Sequence, residues 1–453
     1  MPPALKYLPT EQRESAHAEL SSRREAHNAA WGAYEGRPKR TLSIRPGEPD
    51  DNTLINLLRQ AVDRLVSFIA PRLPGLELDD QHDTDTERWL RRAWEESGGA
   101  RLLARMVKYG CLDGHVFARI MPGTPYPRLI ALNPANVIVH WQADDYEQVL
   151  WYELHWTAAG QDFRQDVVNQ GDHWLIRDLR KDQPPGGAGW SVTDEQVWRF
   201  ATPPILDWGH DFSPDRYYGV GETGGMALNE RVNRIAGDIS RILRFHAAPR
   251  TIGIGFEAEA VVGTGIDNFW TIPEKEAEVF NLEMKTDLAS SMNFLNFCAR
   301  SFMADRRVIL LEGTMSDLRH VTNLGIRSLY LDQLARAEEL RRNYEPGIKA
   351  ISRGLLVLGG KNTGAAPFHL KINWPDPLPI GELEVLEGLE RERALGILSR
   401  ESAARLRGRD WALEKARIYS EGGLRDESEP ESESTHRSDG GRLGGKANTA
   451  RSA

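Results

Sequence analysis

Gly219-Val220-Gly221-Glu222-Thr223-Gly224 matches the G-x-G-x-x-G pattern by which some folds hold a dinucleotide. That chemistry needs a strand directly before the first glycine, so that the pyrophosphate meets a helix N-terminus. Here the nearest strand candidate, 204–208, is separated from Gly219 by a polar loop, and no second buried strand with a terminal acid follows the helix. The bland reading, a glycine-rich helix entry, fits better. Gly360-Lys361 resembles the end of a P-loop, but Leu355 stands where a glycine is needed and Asn362 where a hydroxyl must reach magnesium. Asp79, Asp80, Asp83, Asp85 and Glu87 form an acidic run, yet Arg88 sits where a calcium loop needs its glycine. The run reads as a helix entry whose acids favour the positive end of the dipole. The histidines are scattered, with no H-E-x-x-H pair, and no G-x-S-x-G elbow is present. No catalytic residue, cofactor or metal site is expected.

The composition sets further bounds. The chain has 453 residues, 40% of them hydrophobic, enough for a sizeable core and several structural units. Its net charge of -9 argues against a protein that grips DNA by neutralising phosphates, though not against one past which DNA slides. Two cysteines, Cys111 and Cys298, make neither a disulfide framework nor a zinc site and suit a reducing compartment. No secretory signal is expected from Met1 to Thr10, and there is no run of about 18 apolar residues to span a membrane.

The elements that position these residues are read from periodicity. Residues 1–50 are polar and broken by Pro38, Pro46, Gly47 and Pro49, which predicts an arm or loop. A helix is expected over 52–70, where Leu54, Leu58, Ala61, Val62, Leu65 and Ile69 share a face before Pro71. Further helices are expected at 84–96 and 99–109. Strands are expected at 115–121, 128–132, 136–141, 148–156, 171–178 and 196–201. A long helix covers 221–247, with Leu228, Val232, Ile235, Ile239 and Ile242 on one face. A mixed segment, 250–285, is strand-like at its start and helical at 273–281. Helix 286–303 follows, free of charge between Asp287 and Arg300, as befits a helix packed on both sides. A strand at 307–311, a loop at about 312–326, a helix at about 327–352 with Pro346 inside it, and a strand at 368–374 come next. Proline removes a donor and clashes with the preceding turn, so a kink is expected near Tyr344–Pro346. Short helices broken by Gly396, Gly408 and Gly422 fill 379–421, and 422–453 is too polar to offset its ordering entropy.

The order of these pieces resembles that of the portal proteins of tailed bacteriophages. The similarity rests on RLLARMVKYGCLDGHVFARI (101–120), RLIALNPANVIVH (128–140), PPILDWGHDFSPDRYYGVG (203–221), NERVNRIAGDISRILRFHAAP (229–249), INWPDPLP (372–379) and ILSRESAARLRGRDWALEKARI (397–418). It runs from about residue 50 to 421, and no single motif in it is diagnostic.

The resemblance implies an α+β portal fold. Residues 51–220 would be the first part of the wing, 221–247 and 286–303 the paired stem helices, and 248–285 a small α/β clip between them. Residues 304–378 would complete the wing, with the tunnel loop and the kinked helix behind it, and 379–421 would be the crown. It further implies a ring of about twelve subunits, closed by a head-to-tail contact repeated round an axis. Such a ring sits at one capsid vertex of the virion, having assembled in the bacterial cytoplasm. Double-stranded DNA passes through it without sequence preference. Its other partners would be the large terminase, a head–tail adaptor, and the major capsid and scaffolding proteins. Candidates for contact with DNA are Arg306, Arg307, Thr314, Ser316, Arg319, His320 and Asn323, with ordinary ion pairing between subunits as the alternative for the basic ones. Candidates for the clip contact with terminase or adaptor are Arg250, Phe256, Glu257, Glu259, Asp267, Phe269 and Trp270. Two other classes stay open: a nucleotide-binding or metal-dependent enzyme using Gly219–Gly224 or Asp79–Glu87, and another ring protein of the head–tail connector.

Overall fold

The computed structural model describes residues 10–37, 42, 44, 50–78, 84–142, 145–181, 189–200, 202–212, 214, 217–247, 251–254, 269–272, 278–281, 288–309, 323–361, 369–378 and 382–421. The chain is α+β and divides into two units, 1–378 and 379–453.

The first unit opens with a helix, α1 (Thr10–Tyr34), where the sequence suggested an arm. Among its described side chains, the buried apolar ones are Leu20, Ala30 and Tyr34. The helix is also held by polar contacts across the fold, which local periodicity does not report. Asp113 accepts from Trp31 Nε1 at 3.1 Å and lies 2.6 Å from His27 Nδ1, and Tyr34 donates to Asp63 at 2.6 Å.

Next come α2 (Leu57–Ile69), β1 (Gly75–Leu78), α3 (Thr84–Glu96), α4 (Gly99–Asp113), β2 (His115–Met121), β3 (Arg128–Leu132), β4 (Val137–Gln142), β5 (Asp145–Ala158), β6 (Gln161–Asn169), β7 (Trp174–Lys181), β8 (Trp190–Trp198) and β9 (Ile205–Gly209). β6 is a strand that the sequence reading missed. Gln161, Asp162, Arg164 and Gln165 make its first half polar but for Phe163, so its alternation is weak, and it is held by β5 and β7 on either side. Two antiparallel sheets result, ordered β3-β2-β9 and β4-β5-β6-β7-β8.

The long helix is α5 (Met226–Ala247). After it come β10 (Thr251–Ile254), β11 (Phe269–Ile272) and β12 (Glu278–Asn281), which form a small sheet in the order β11-β10-β12. Residues 278–281 are therefore strand, not the helix expected over 273–281: Val279 and Phe280 favour a strand, and β10 gives them an antiparallel partner. The second long helix is α6 (Leu288–Asp305). Arg306 and Arg307 then turn, and 308–309 are irregular, so the described part of the expected strand at 307–311 is not one. α7 (Asn323–Leu329) and α8 (Leu331–Leu358) are separated by Tyr330 alone. α8 runs through Pro346 as one continuous helix. β13 (Leu370–Asn373) pairs antiparallel with β1.

The core lies where α2, α4 and α8 meet the β3-β2-β9 sheet, around Leu58, Leu65, Met106, Phe117, Tyr344 and Ile348. Polar side chains bind the helix ends into it. Arg341 of α8 is buried and donates to Phe68 O at 2.7 Å and Ile69 O at 3.1 Å, satisfying carbonyls at the end of α2. Asn229 and Asn233 of α5 accept from Leu57 N at 2.9 Å and Ile55 N at 2.8 Å at its start.

The second unit holds α9 (Glu382–Ala394), α10 (Arg400–Leu406) and α11 (Trp411–Ser420). Gly396 and Gly408 break it as the sequence suggested, with φ of 72° and 70°. Leu386, Leu395, Ile397, Leu406 and Leu413 are exposed.

Candidate functional site

Three separated segments converge where the helix pair α5/α6 joins the body. The first is the glycine-rich entry to α5. A bridge between Asp211 and Val220 folds it back beside the end of β9. A Cβ at Gly219 would stand 2.5 Å from Gly114 O, and one at Gly221 2.7 Å from Cys111 O. The glycines are thus needed for backbone to lie on backbone, not to cradle a phosphate.

The second segment is the end of α6. Arg306 is 3% exposed. It donates to Glu222 O at 3.0 Å, to Phe302 O at 2.8 Å and to Gly224 O, and its guanidinium lies 3.8 Å from the centroid of the Phe302 ring. The end of α6 therefore sits beside the start of α5, and the two long helices, which pack on each other, run in opposite directions. Arg306 is a clamp at the base of that hairpin, a different role from the phosphate contact expected of it.

The third segment is α8. Its Arg336 donates to Glu222 Oε1 at 2.9 Å and to Asp211 Oδ2 at 2.7 Å. His210 is fully buried between Tyr344 and Glu222: Nε2 lies 3.4 Å from Glu222 Oε1 and Nδ1 lies 2.8 Å from Tyr344 Oη. Burial pulls the Glu222 carboxyl up, but His210 and the Arg336 guanidinium outweigh it and hold it at about 2. Burial pushes the neighbouring Cys111 thiol well up, with Glu222 adding to it. A buried thiol kept protonated is a poor nucleophile.

A second buried carboxylate, Asp207 on β9, lies nearby in the same fold. Tyr152 donates to it at 2.7 Å and Tyr217 at 2.5 Å, and His115 Nε2 is 2.8 Å away. Burial raises this carboxyl, and the hydrogen bonds from His115, Tyr217 and Tyr152 more than offset that, leaving it below the usual range. Both networks are closed on themselves. Their chemistry is that of rigid struts joining helices to sheet.

The remaining sequence candidates are spread out. Arg307 is exposed, with a φ of 51°, and pairs with Glu339 of the same chain at 3.1 Å. Asn323 is the first residue of α7, and Phe269 and Trp270 open β11. Thr314, Ser316, Arg319, His320, Arg250, Phe256, Glu257, Glu259 and Asp267 lie outside the described residues. The entry to 310–322 is pinned on both sides of the chain, since Arg64 donates to Ile309 O and Ile309 N donates to Gln333 Oε1 at 3.3 Å. Lys361 ends α8 as a helix cap, its N–H on Leu356 O at 2.9 Å, and not as a P-loop lysine. Of the acidic run, 79–83 lie outside the described residues, Asp85 pairs with Arg88, and Glu87 accepts from Leu78 N at 2.9 Å. Among the described residues no group of three or more His, Cys, Asp or Glu is placed to hold a metal ion. Nor is any described helix long and apolar enough to cross a membrane.

Sequence reasoning did not single out His210, Asp207, Glu222, Arg336 or Tyr344 as partners. They come from strand ends, a loop and α8, and no local spacing links them.

No family model matches the chain, and no curated protein matches it. Solved structures of gene transfer agent (GTA) particles contain chains similar to it. One, from the virion of the native particle, is 16% identical with a TM-score of 0.42, over 84% of this chain and 99% of that one. Another, from the neck of the empty particle computed with C6 symmetry, is 16% identical with a TM-score of 0.44, over 82% and 96%. A third, from the neck of the native particle computed with C12 symmetry, is 17% identical with a TM-score of 0.39, over 78% and 90%. These values describe a loose likeness, below the level from which a function follows.

Proposed function

We propose that the chain is a portal subunit: one member of a closed ring at a capsid vertex of a phage-like particle, through which double-stranded DNA is packaged, retained and released. The observation that carries this reading is the antiparallel hairpin of α5 and α6. It has a small three-stranded sheet at its far end and a base clamped into the α+β body by Arg306, Glu222 and Arg336. In this reading the hairpin is the stem, the sheet β11-β10-β12 the clip, and the two large sheets with α2, α4 and α8 the wing. The segment of about 312–326, whose residues 323–326 belong to α7, is the tunnel loop, and α9 to α11 are the crown. Met292, Phe294 and Phe297 expose apolar surface along α6, the kind of face that a neighbouring stem covers in a ring. The excess of acidic over basic residues keeps the passage weakly attractive, so DNA is not held by phosphate neutralisation. Large terminase during packaging, and a head–tail adaptor afterwards, would dock on the clip. The ring carries no enzymatic role: each buried acid of the junction already has its donors.

A packaging assay tests the proposal. Particles assembled with this chain should protect DNA from nuclease, and particles assembled with 250–285 deleted should form shells that protect none. Equal DNA protection with and without the chain would defeat the reading.

A further inference from the structure

A cavity of about 270 Å³ lies where the two large sheets of the body meet, with Arg119, Asn133, Asn136, His155, Leu154 and Trp156 in its wall. Its size is near the lower edge of ligand sites, roughly 300 Å³ upward. The polar part of the wall offers donors. The Oδ1 of Asn133 already accepts from Ala135 N at 3.0 Å, and the Oδ1 of Asn136 from Arg24 Nη2 at 3.1 Å, so each amide has its NH₂ left to give. Arg119 Nε is buried and has no hydrogen-bond partner among the described residues. The acids nearby are already engaged. Asp178, whose field reaches Arg119, accepts from Gln165 Nε2 at 2.5 Å. Glu153 is 3.0 Å from His140, 3.2 Å from His155 and 3.7 Å from Arg164.

We propose that this cavity binds a small carboxylate carried on an apolar stem. The buried Nε–H of Arg119 lacks a partner, which is costly, and the planar fork of its guanidinium matches a carboxylate. One permanent cation and two amide donors suit a single negative charge. Leu154 and Trp156 suit a short hydrocarbon beside it. The site uses none of the hairpin, clip or loop residues, so it stands apart from the portal reading.

The test is calorimetric titration of the full chain with acetate, butanoate, benzoate and the matching amides. Butanoate and benzoate should bind more tightly than acetate, and each amide at least tenfold more weakly than its acid. Arg119→Gln should abolish carboxylate binding. Asn133→Asp keeps the acceptor that caps Ala135 N but replaces a donor with a negative charge, and should weaken binding at least tenfold. Circular dichroism of both variants checks folding. N-acetyl-glutamate-amide separates the sources of the ligand. Tighter binding than butanoate assigns the site to a polypeptide's acidic side chain, and weaker binding assigns it to a free acid. Equal affinity for acids and amides, unchanged binding in folded Arg119→Gln, or no binding of any carboxylate would each overturn the proposal.

Discussion

Glu222 is the residue whose replacement reports most about the junction. Its carboxyl is held at about 2 against an ordinary 4.5, and only 7% of the residue is exposed, so solvent screens the effect little. Each tenfold weakening of proton binding on folding is worth about 1.4 kcal/mol, so the fall from 4.5 to about 2 stabilises the fold by about 3 kcal/mol at neutral pH. The sign follows from a lowered folded-state value. The stabilisation is present above the unfolded value of 4.5 and is lost as pH falls through the folded value of about 2. By that relation about 3 kcal/mol remains at pH 4.5 and about 0.4 kcal/mol at pH 2. Glu222→Gln removes the charge but keeps the shape. Asp211 still pairs with Arg336 at 2.7 Å, so the guanidinium is not stranded. Urea unfolding followed by tryptophan fluorescence, from pH 7 to pH 2, should show the variant less stable by about 3 kcal/mol at pH 7, with the difference shrinking to within about 0.5 kcal/mol at pH 2. A difference that stayed constant across that range, or lay under about 1 kcal/mol at pH 7, would refute the electrostatic account of the clamp.

Other expectations follow from the same contacts. Gly221→Ala would press a Cβ within 2.7 Å of Cys111 O and 3.0 Å of Gly114 N, both backbone atoms, and should cost about 1–3 kcal/mol in urea unfolding, while titration of the wild type with NADH or ATP should show no binding. Tyr344→Phe takes the hydroxyl from His210 Nδ1 in a buried site and should cost about 1–3 kcal/mol by the same measurement. Phe297 is 63% exposed on α6, so Phe297→Glu should change subunit stability by no more than about 0.5 kcal/mol and yet abolish assembly in sedimentation velocity.

Much of the scaffold is legible in the residues. The apolar faces of α2 and α5, the β-branched and aromatic runs of β2 to β5, and the glycines at 396 and 408 each announce their element locally. What stays hidden depends on distant partners. α1 is held by Asp113 and Asp63, far along the chain. β6 needs β5 and β7 beside it, and Val279 and Phe280 become strand because β10 pairs with them. The junction was legible only as a glycine motif of uncertain meaning. That Arg306 turns inward on Glu222 O, rather than outward, depends on a contact between residues 84 positions apart. No spacing rule reaches that far.

Whether the chain closes into a ring decides the portal reading, and negative-stain imaging of the purified full chain shows it without intermediaries. The portal reading, with Met292, Phe294 and Phe297 exposed along α6, predicts closed rings with an axial hole wide enough for a DNA duplex. A monodisperse monomer that forms no ring at any protein concentration, even with capsid components present, would contradict it.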